Sequence, residues 1–276
     1  MFNFPAYVTI WGRAGRYAHV AISLLVLLFL VLPVLVVMPL SFNSQPYFTY
    51  PMPGFSFRWY EEFFGSAEWM FALRNTLIVG VSSTLLASLL GVLASLGLMH
   101  PRLKGKSFIT GVLVSPMIVP VIITAVGVYF AFSPLGLTSS LLGLTFAHAA
   151  LGVPFVVVTV TATLAGFNET LTRAGRSLGA SPMRVFWQVK LPIIAPGVVS
   201  GALFAFATSF DEIVVALFLT GPDQRTIPRQ MWAGIREQLS PTILAVATVL
   251  VVVSTLLLVT LEWLRRRTER LRGHAG

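Results

Sequence analysis

From Ser107 to Phe167 the chain contains no Lys, Arg, Asp or Glu. An uncharged interval of that length cannot wrap a water-facing surface, which is built mainly from charged and polar side chains. It is too long for one membrane helix of about 20 apolar residues and long enough for two. Ser133-Pro134-Leu135-Gly136-Leu137-Thr138 supplies the turn residues that divide it. Two spans are therefore expected, at about 109–132 and 139–165. The whole chain agrees, with 11% charged and 56% hydrophobic residues, against about 25% charged in soluble domains.

Four further apolar runs fit spans, at about 20–40, 75–99, 193–220 and 242–261. The first could be mistaken for a secretory leader. Its apolar core exceeds the roughly 7–15 residues of such a leader, so an uncleaved span is expected. The fold class is all-α: a polytopic membrane protein with six transmembrane helices. It divides into an N-terminal tail, first span and outer aromatic loop (1–70), a five-helix core (71–264) and a basic tail (265–276). The loop 43–70 is rich in Pro, Phe, Tyr and Trp and reads as an interfacial aromatic belt. Within it, Arg58 to Phe64 reads as a short amphipathic segment.

Charge fixes the expected orientation. With the N-terminus inside, the inner segments hold Arg13, Arg16, Arg102, Lys104, Lys106, Arg173, Arg176, Arg184, Lys190, Arg265, Arg266, Arg267, Arg270 and Arg272. The outer ones hold Arg58, Arg74, Arg225, Arg229 and Arg236. That bias places both termini in the cytoplasm. The net charge of +9 thus reflects topology and contact with anionic lipid, not nucleic acid.

Enzyme chemistry finds no footing. There is no cysteine, the four histidines are scattered, and neither HExxH nor GxSxG occurs. Gly105-Lys106-Ser107 imitates the end of a phosphate-binding loop, but His100 stands where that motif needs its first glycine. No cofactor, metal or nucleotide site is expected in this chain. His148, alone in a span, reads as a hydrogen-bonded packing residue.

The loop from Asn168 to Pro192 carries its own helix punctuation. Asn168 can cap a helix with Glu169 in its first turn, and Gly179 sits at C′. Ser181-Pro182 begins a second short helix, and Pro192 closes it. Leu171, Leu178, Val185, Phe186 and Val189 give the loop apolar surface to bury, so it reads as a docking element.

These residues resemble the loop of permeases of binding-protein-dependent ATP-binding-cassette importers. That loop runs Glu-Ala-Ala, three residues, Gly, nine residues, an aliphatic, one residue, Leu-Pro. Arg173-Ala174-Gly175, Gly179, Val189 and Leu191-Pro192 occupy those positions, with Arg173 in place of Glu and Gly175 in place of the second Ala. The stretch from Gly197 through Ser209-Phe210-Asp211-Glu212 to Thr220-Gly221-Pro222 is similar to the polyamine (spermidine/putrescine) branch. The resemblance implies a type I importer fold with a cytoplasmic coupling helix, in a bacterial inner membrane. It implies a second permease, two ATPase subunits that bind the ATP, and an extracytoplasmic binding protein, for which 221–241 is a candidate contact. It implies ATPase coupling through Arg173, Ala174, Gly175, Gly179, Val189, Leu191 and Pro192.

Asp211 and Glu212 are the adjacent acids inside a span, where each carboxylate costs at least ~2.5–3.5 kcal/mol. Read on one continuous helix, they lie roughly 22 Å beyond Pro196 and point about 100° apart. Two readings stay open: they line a pathway for a cationic substrate, or they bond to a neighbouring helix. The alternatives for the whole chain are a permease of the same family carrying a metal chelate or an anion, and an ion-coupled carrier using the same acids. Gly197, Gly201 and Ala205 read as a close-packing seam, with the partner permease as one candidate neighbour.

Overall fold

The computed structural model describes residues 9–237 and 239–273. These fall into two compact units, one of residues up to Phe63 with the stretch to Leu250, the other of Phe64–Glu237 with the residues from Val251.

In the first unit, α1 (Ile10–Leu40) opens on Thr9, whose hydroxyl accepts from Gly12 N. Its apolar stretch is exposed along its length, as a lipid-facing helix would be. The loop that follows is more than a belt. Phe42 stacks on Phe55 with centroids 4.7 Å apart, and Phe57 meets Phe42 edge-on. Trp59 Nε1 donates to Asn43 O, and the Ser41 and Tyr60 hydroxyls lie 2.6 Å apart. Rings paired face-to-face and edge-on fix one another's orientation, while Phe55 and Phe57 stay exposed as belt residues would. The expected amphipathic segment is α2 (Arg58–Gly65).

The second unit is built on three helices, α3 (Ala67–Leu98), α6 (Leu141–Ala165) and α9 (Leu191–Phe210). The central one, α6, has the largest buried share of the apolar spans. Lipid gives two helices little hydrophobic reason to associate, so close approach and van der Waals contact must hold them. Small residues supply that approach. A Cβ on Gly91 of α3 would lie 2.5 Å from Val156 Cβ, and one on Gly152 would lie 2.9 Å from Ala205 Cβ. The glycine seam of α9 meets α6 of the same chain: a Cβ on Gly201 would lie 2.7 Å from Val156 Cα. The partner permease is therefore not the neighbour at this seam. Val156, Val160, Ile194 and Ala205 close the core between these helices.

Two expected spans are broken. The third consists of α4 (Lys106–Ile118) and α5 (Val121–Phe132), bent by 107° at Val119-Pro120. Pro120 cannot donate a backbone bond, and it forces the residue before it into extended backbone, here Val119 at ψ 131°. The fifth runs without interruption from Pro182 through a π turn into α9, ends at Phe210, and resumes as α10 (Val214–Leu219). With the bent pair taken as one span, six segments among the described residues have the length and apolarity to cross a bilayer. The remaining helices are α7 (Glu169–Ser177), α8 (Pro182–Val185), α11 (Ile227–Glu237) and α12 (Thr242–Gly273). The side chains of Arg265, Arg266, Arg267, Arg270 and Arg272 lie outside the described residues. No strand occurs among the described residues, so Gly105-Lys106-Ser107 has no phosphate-loop setting. Gly105 simply opens α4 at φ 73°.

Candidate functional site

Two places gather the residues that the sequence singles out. The first is the polar loop. Asn168 caps α7, its Oδ1 accepting from Thr170 N at 2.9 Å. At the other end Gly179 N donates to Arg176 O and Ala180 N to Gly175 O, with Gly179 at φ 81°. That pair of bonds is a Schellman closure, which needs a left-handed residue at C′. Ser181 then caps α8 through Arg184 N.

Pro192 does not close a second short helix. The chain widens into a π turn over Phe186–Lys190, in which Leu191 N donates to Phe186 O. Proline clashes with the carbonyl four residues back, and the wider turn accommodates it without ending the helix. The loop is thus joined to α9 by continuous helix.

The expected apolar docking surface is divided. Val185 is buried, and a Cβ on Gly175 would lie 3.1 Å from Val185 Cγ2, so glycine lets α7 sit on α8. Phe186 packs toward the chain's own core. Leu171 and Leu178 stay exposed, Leu178 at 89%, together with Met183 and Trp187. Arg173, Ala174 and Gly179 are exposed beside them, while Val189 and Leu191 are half-buried. A clamp that sequence reasoning did not isolate fixes this arrangement: Lys190 Nζ bonds Glu169 Oε1 at 2.9 Å and lies over the Phe167 ring.

The second place is the break after Phe210. A continuous helix through the two acids is not what forms, so the 100° separation does not apply. Asp211 ends α9 and is exposed. Glu212 is buried and turns back on α10, accepting from Val214 N, Val215 N and Ala216 N at 2.8–3.2 Å. A carboxylate there satisfies donors that the break leaves without helical partners. The far end of α10 is held by Arg229, whose Nη1 donates to Gly221 O at 2.6 Å and to both oxygens of Thr220. Positive charge at a helix C-terminus complements the backbone dipole.

Beneath the break lies a polar group of three helices. Ser83 Oγ of α3 donates to Ser209 Oγ at 3.0 Å, and Ser209 Oγ lies 2.8 Å from His148 Nδ1 of α6. His148 is a buried, bonded packing residue, as its sequence setting implied. Its other nitrogen, Nε2, lies 3.7 Å from Glu212 Oε2. The sequence marked this group only by four polar residues, Ser83, His148, Ser209 and Glu212, among the many Ser and Thr of these spans.

The site thus consists of membrane helices packed on a glycine seam, a charged break inside one span and an exposed polar loop joined to that span by continuous helix. Residues 87–270 match the family described as binding-protein-dependent transport system inner membrane component, and the chain belongs to that family. It is 30% identical to the spermidine/putrescine transport system permease protein PotC of Escherichia coli (strain K12) over 262 residues, covering 95% of this chain and 98% of that protein. It is 29% identical to the putrescine transport system permease protein PotI of the same organism, covering 91% of this chain and 89% of that one. Among solved structures, a bacterial transporter importing the acidic polysaccharide alginate superposes with a TM-score of 0.72 at 15% identity, covering 96% of this chain and 99% of that chain. The MetNI methionine transporter superposes with a TM-score of 0.59 at 20% identity, covering 74% of this chain and 99% of that chain. Those two likenesses bear on the fold alone.

Proposed function

We propose that the chain is one permease subunit of an ATP-driven, binding-protein-dependent importer for polyamines or another small organic cation. It would work with a second permease, two ATPase subunits and an extracytoplasmic binding protein, in a bacterial inner membrane with both termini in the cytoplasm. The observation that carries the substrate class is Asp211: an exposed carboxylate in a helix break, inside an apolar span. A charge in that setting needs a cation or water opposite it, and Glu212 does not compete for the role because backbone N–H groups engage it. The names of the spermidine/putrescine relatives support the same class.

ATP is bound and hydrolysed by the partner ATPases. Their closing is transmitted through the loop 168–192, with Leu178, Met183 and Trp187 entering an ATPase cleft and Arg173, Arg176 and Arg184 favouring an acidic rim. Because Pro182–Phe210 is continuous helix, a displacement of the loop moves the base of the span that carries Asp211.

Radiolabelled spermidine uptake by cells carrying the complete transporter tests both parts, with membrane levels checked. Asp211→Asn is expected to reduce uptake at low spermidine by about tenfold or more, in line with losing a charged contact. Gly179→Asp is expected to abolish uptake while leaving the protein in the membrane. A silent Asp211→Asn removes the cation reading; a silent Gly179→Asp removes the coupling reading.

A further inference from the structure

We propose that His148 is a positioning residue for Asp211, acting through Ser209 and Glu212. Its ring brackets the break. One nitrogen bonds Ser209, two residues before Asp211, at 2.8 Å, and the other faces the Glu212 carboxylate, one residue after it, at 3.7 Å. Asp211 therefore lies between two residues that face one rigid ring, the first of them hydrogen-bonded to it, and that ring is anchored on a different helix, α6. The imidazole side chain is 0% exposed, so water cannot substitute for either contact.

Ser83 Oγ and His148 Nδ1 both bond the Ser209 hydroxyl. Nε2 makes no hydrogen bond, and 3.7 Å is too long for one. A shift of under about 1 Å brings it to bonding distance from Glu212 Oε2. The Ser209 side of the bracket is a hydrogen bond and the Glu212 side a longer contact, while Val215 and Ala216 of α10 are buried with Leu144, Ala147 and Leu151 of α6, so α6 holds both sides of the break.

That Asp211 meets the transported cation rests on the proposal above; the bracketing does not. The natural chain has no cysteine, so Asp211→Cys introduces a unique thiol into this subunit. In the purified complete transporter, its rate of reaction with a cationic methanethiosulfonate is measured with His148, His148→Asn and His148→Leu. Asn can keep the bond to Ser209 and loses the arm toward Glu212, and it guards against misreading a folding loss in the Leu variant. Leu135→Cys, an exposed thiol elsewhere in the unit, serves as reference. His148→Leu is expected to change the rate at position 211 by about threefold or more, with Asn between, as coupled neighbours do. Equal rates in all three overturn the inference. No reaction at position 211 beside normal reaction at position 135 takes Asp211 out of water and overturns it too.

A second arm uses spermidine uptake. His148→Leu should raise the half-saturating concentration in the Asp211 background and leave it unchanged in the Asp211→Asn background; additive effects mark a general structural role and refute positioning. If the unaltered transporter takes up no spermidine, the polyamine reading falls, and the labelling arm still decides the role of His148.

Discussion

Lys190 Nζ bonds Glu169 Oε1 at 2.9 Å, joining the first turn of α7 to the π turn at the base of α9. The two residues are twenty-one positions apart, and the ammonium also lies 5.0 Å from the centroid of the Phe167 ring. The pair ties the polar loop to the base of the span. The hydrogen bond from Lys190 holds the Glu169 carboxyl below its ordinary range. A depressed carboxyl contributes stability that is present above the unfolded-state pKa and lost as pH falls through the folded one. The clamp should therefore be intact at neutral pH and loosen below about pH 4. Proteolysis within 168–192 should increase over that acid range in the native chain, and Glu169→Gln should show the increase already at pH 7. Because Glu169 is largely exposed, the effect is local; an acid-independent cleavage rate would count against the clamp.

Arg229 holds the end of α10 through oxygens of Thr220 and Gly221. Arg229→Ala should cost about 1.5–3 kcal/mol, the range for hydrogen bonds to a charged group. Arg229→Lys should recover part of it, since an ammonium reaches fewer of those acceptors at once. Thermal unfolding of the purified transporter in detergent reads the loss. An unchanged midpoint for Arg229→Ala would show that the cap is not held in the assembled protein.

Glu212 faces three backbone N–H groups with two oxygens. Glu212→Gln keeps one oxygen and turns an amide donor toward donors. It should lower stability by about 1–3 kcal/mol and resemble Glu212→Ala in uptake. Asp211→Asn, by contrast, should leave the melting midpoint near that of the native chain. The contrast between neighbouring acids is the check: equal stability losses at the two positions would contradict their different settings.

Gly201 lets α9 lie against α6. A Cβ there would come 2.5 Å from Thr159 Oγ1 and 2.7 Å from Val156 Cα. Backbone cannot rotate aside as a side chain can, so Gly201→Ala should cost about 1–3 kcal/mol by overpacking. The yield of monodisperse protein after gentle heating measures it. Gly127→Ala, at a glycine with open space around it, should be neutral in the same assay.

Much of this was legible in the residues because it rests on local rules. The uncharged interval from Ser107 to Phe167 announced two apolar helical segments, since lipid and water accept different side chains. Asn168, Gly179 and Ser181-Pro182 announced the caps of α7 and α8, because capping is settled within one turn of chain. The small residues of α9 announced close packing. What they could not announce was the partner: Gly201 meets Val156 and Thr159 of α6 only because three helices of this chain happen to converge there. The breaks were hidden for the same reason. Pro120 makes a bend permissible, yet Pro154 and Pro196 sit within continuous helices. Proline removes one bond, and its surroundings decide whether the helix ends. Asp211 and Glu212 carry the plainest lesson. As adjacent acids in an apolar run they were bound to matter, because lipid will not hold a bare carboxylate. Which one is buried and which is free was decided by backbone donors of α10 that exist only once the helix has broken.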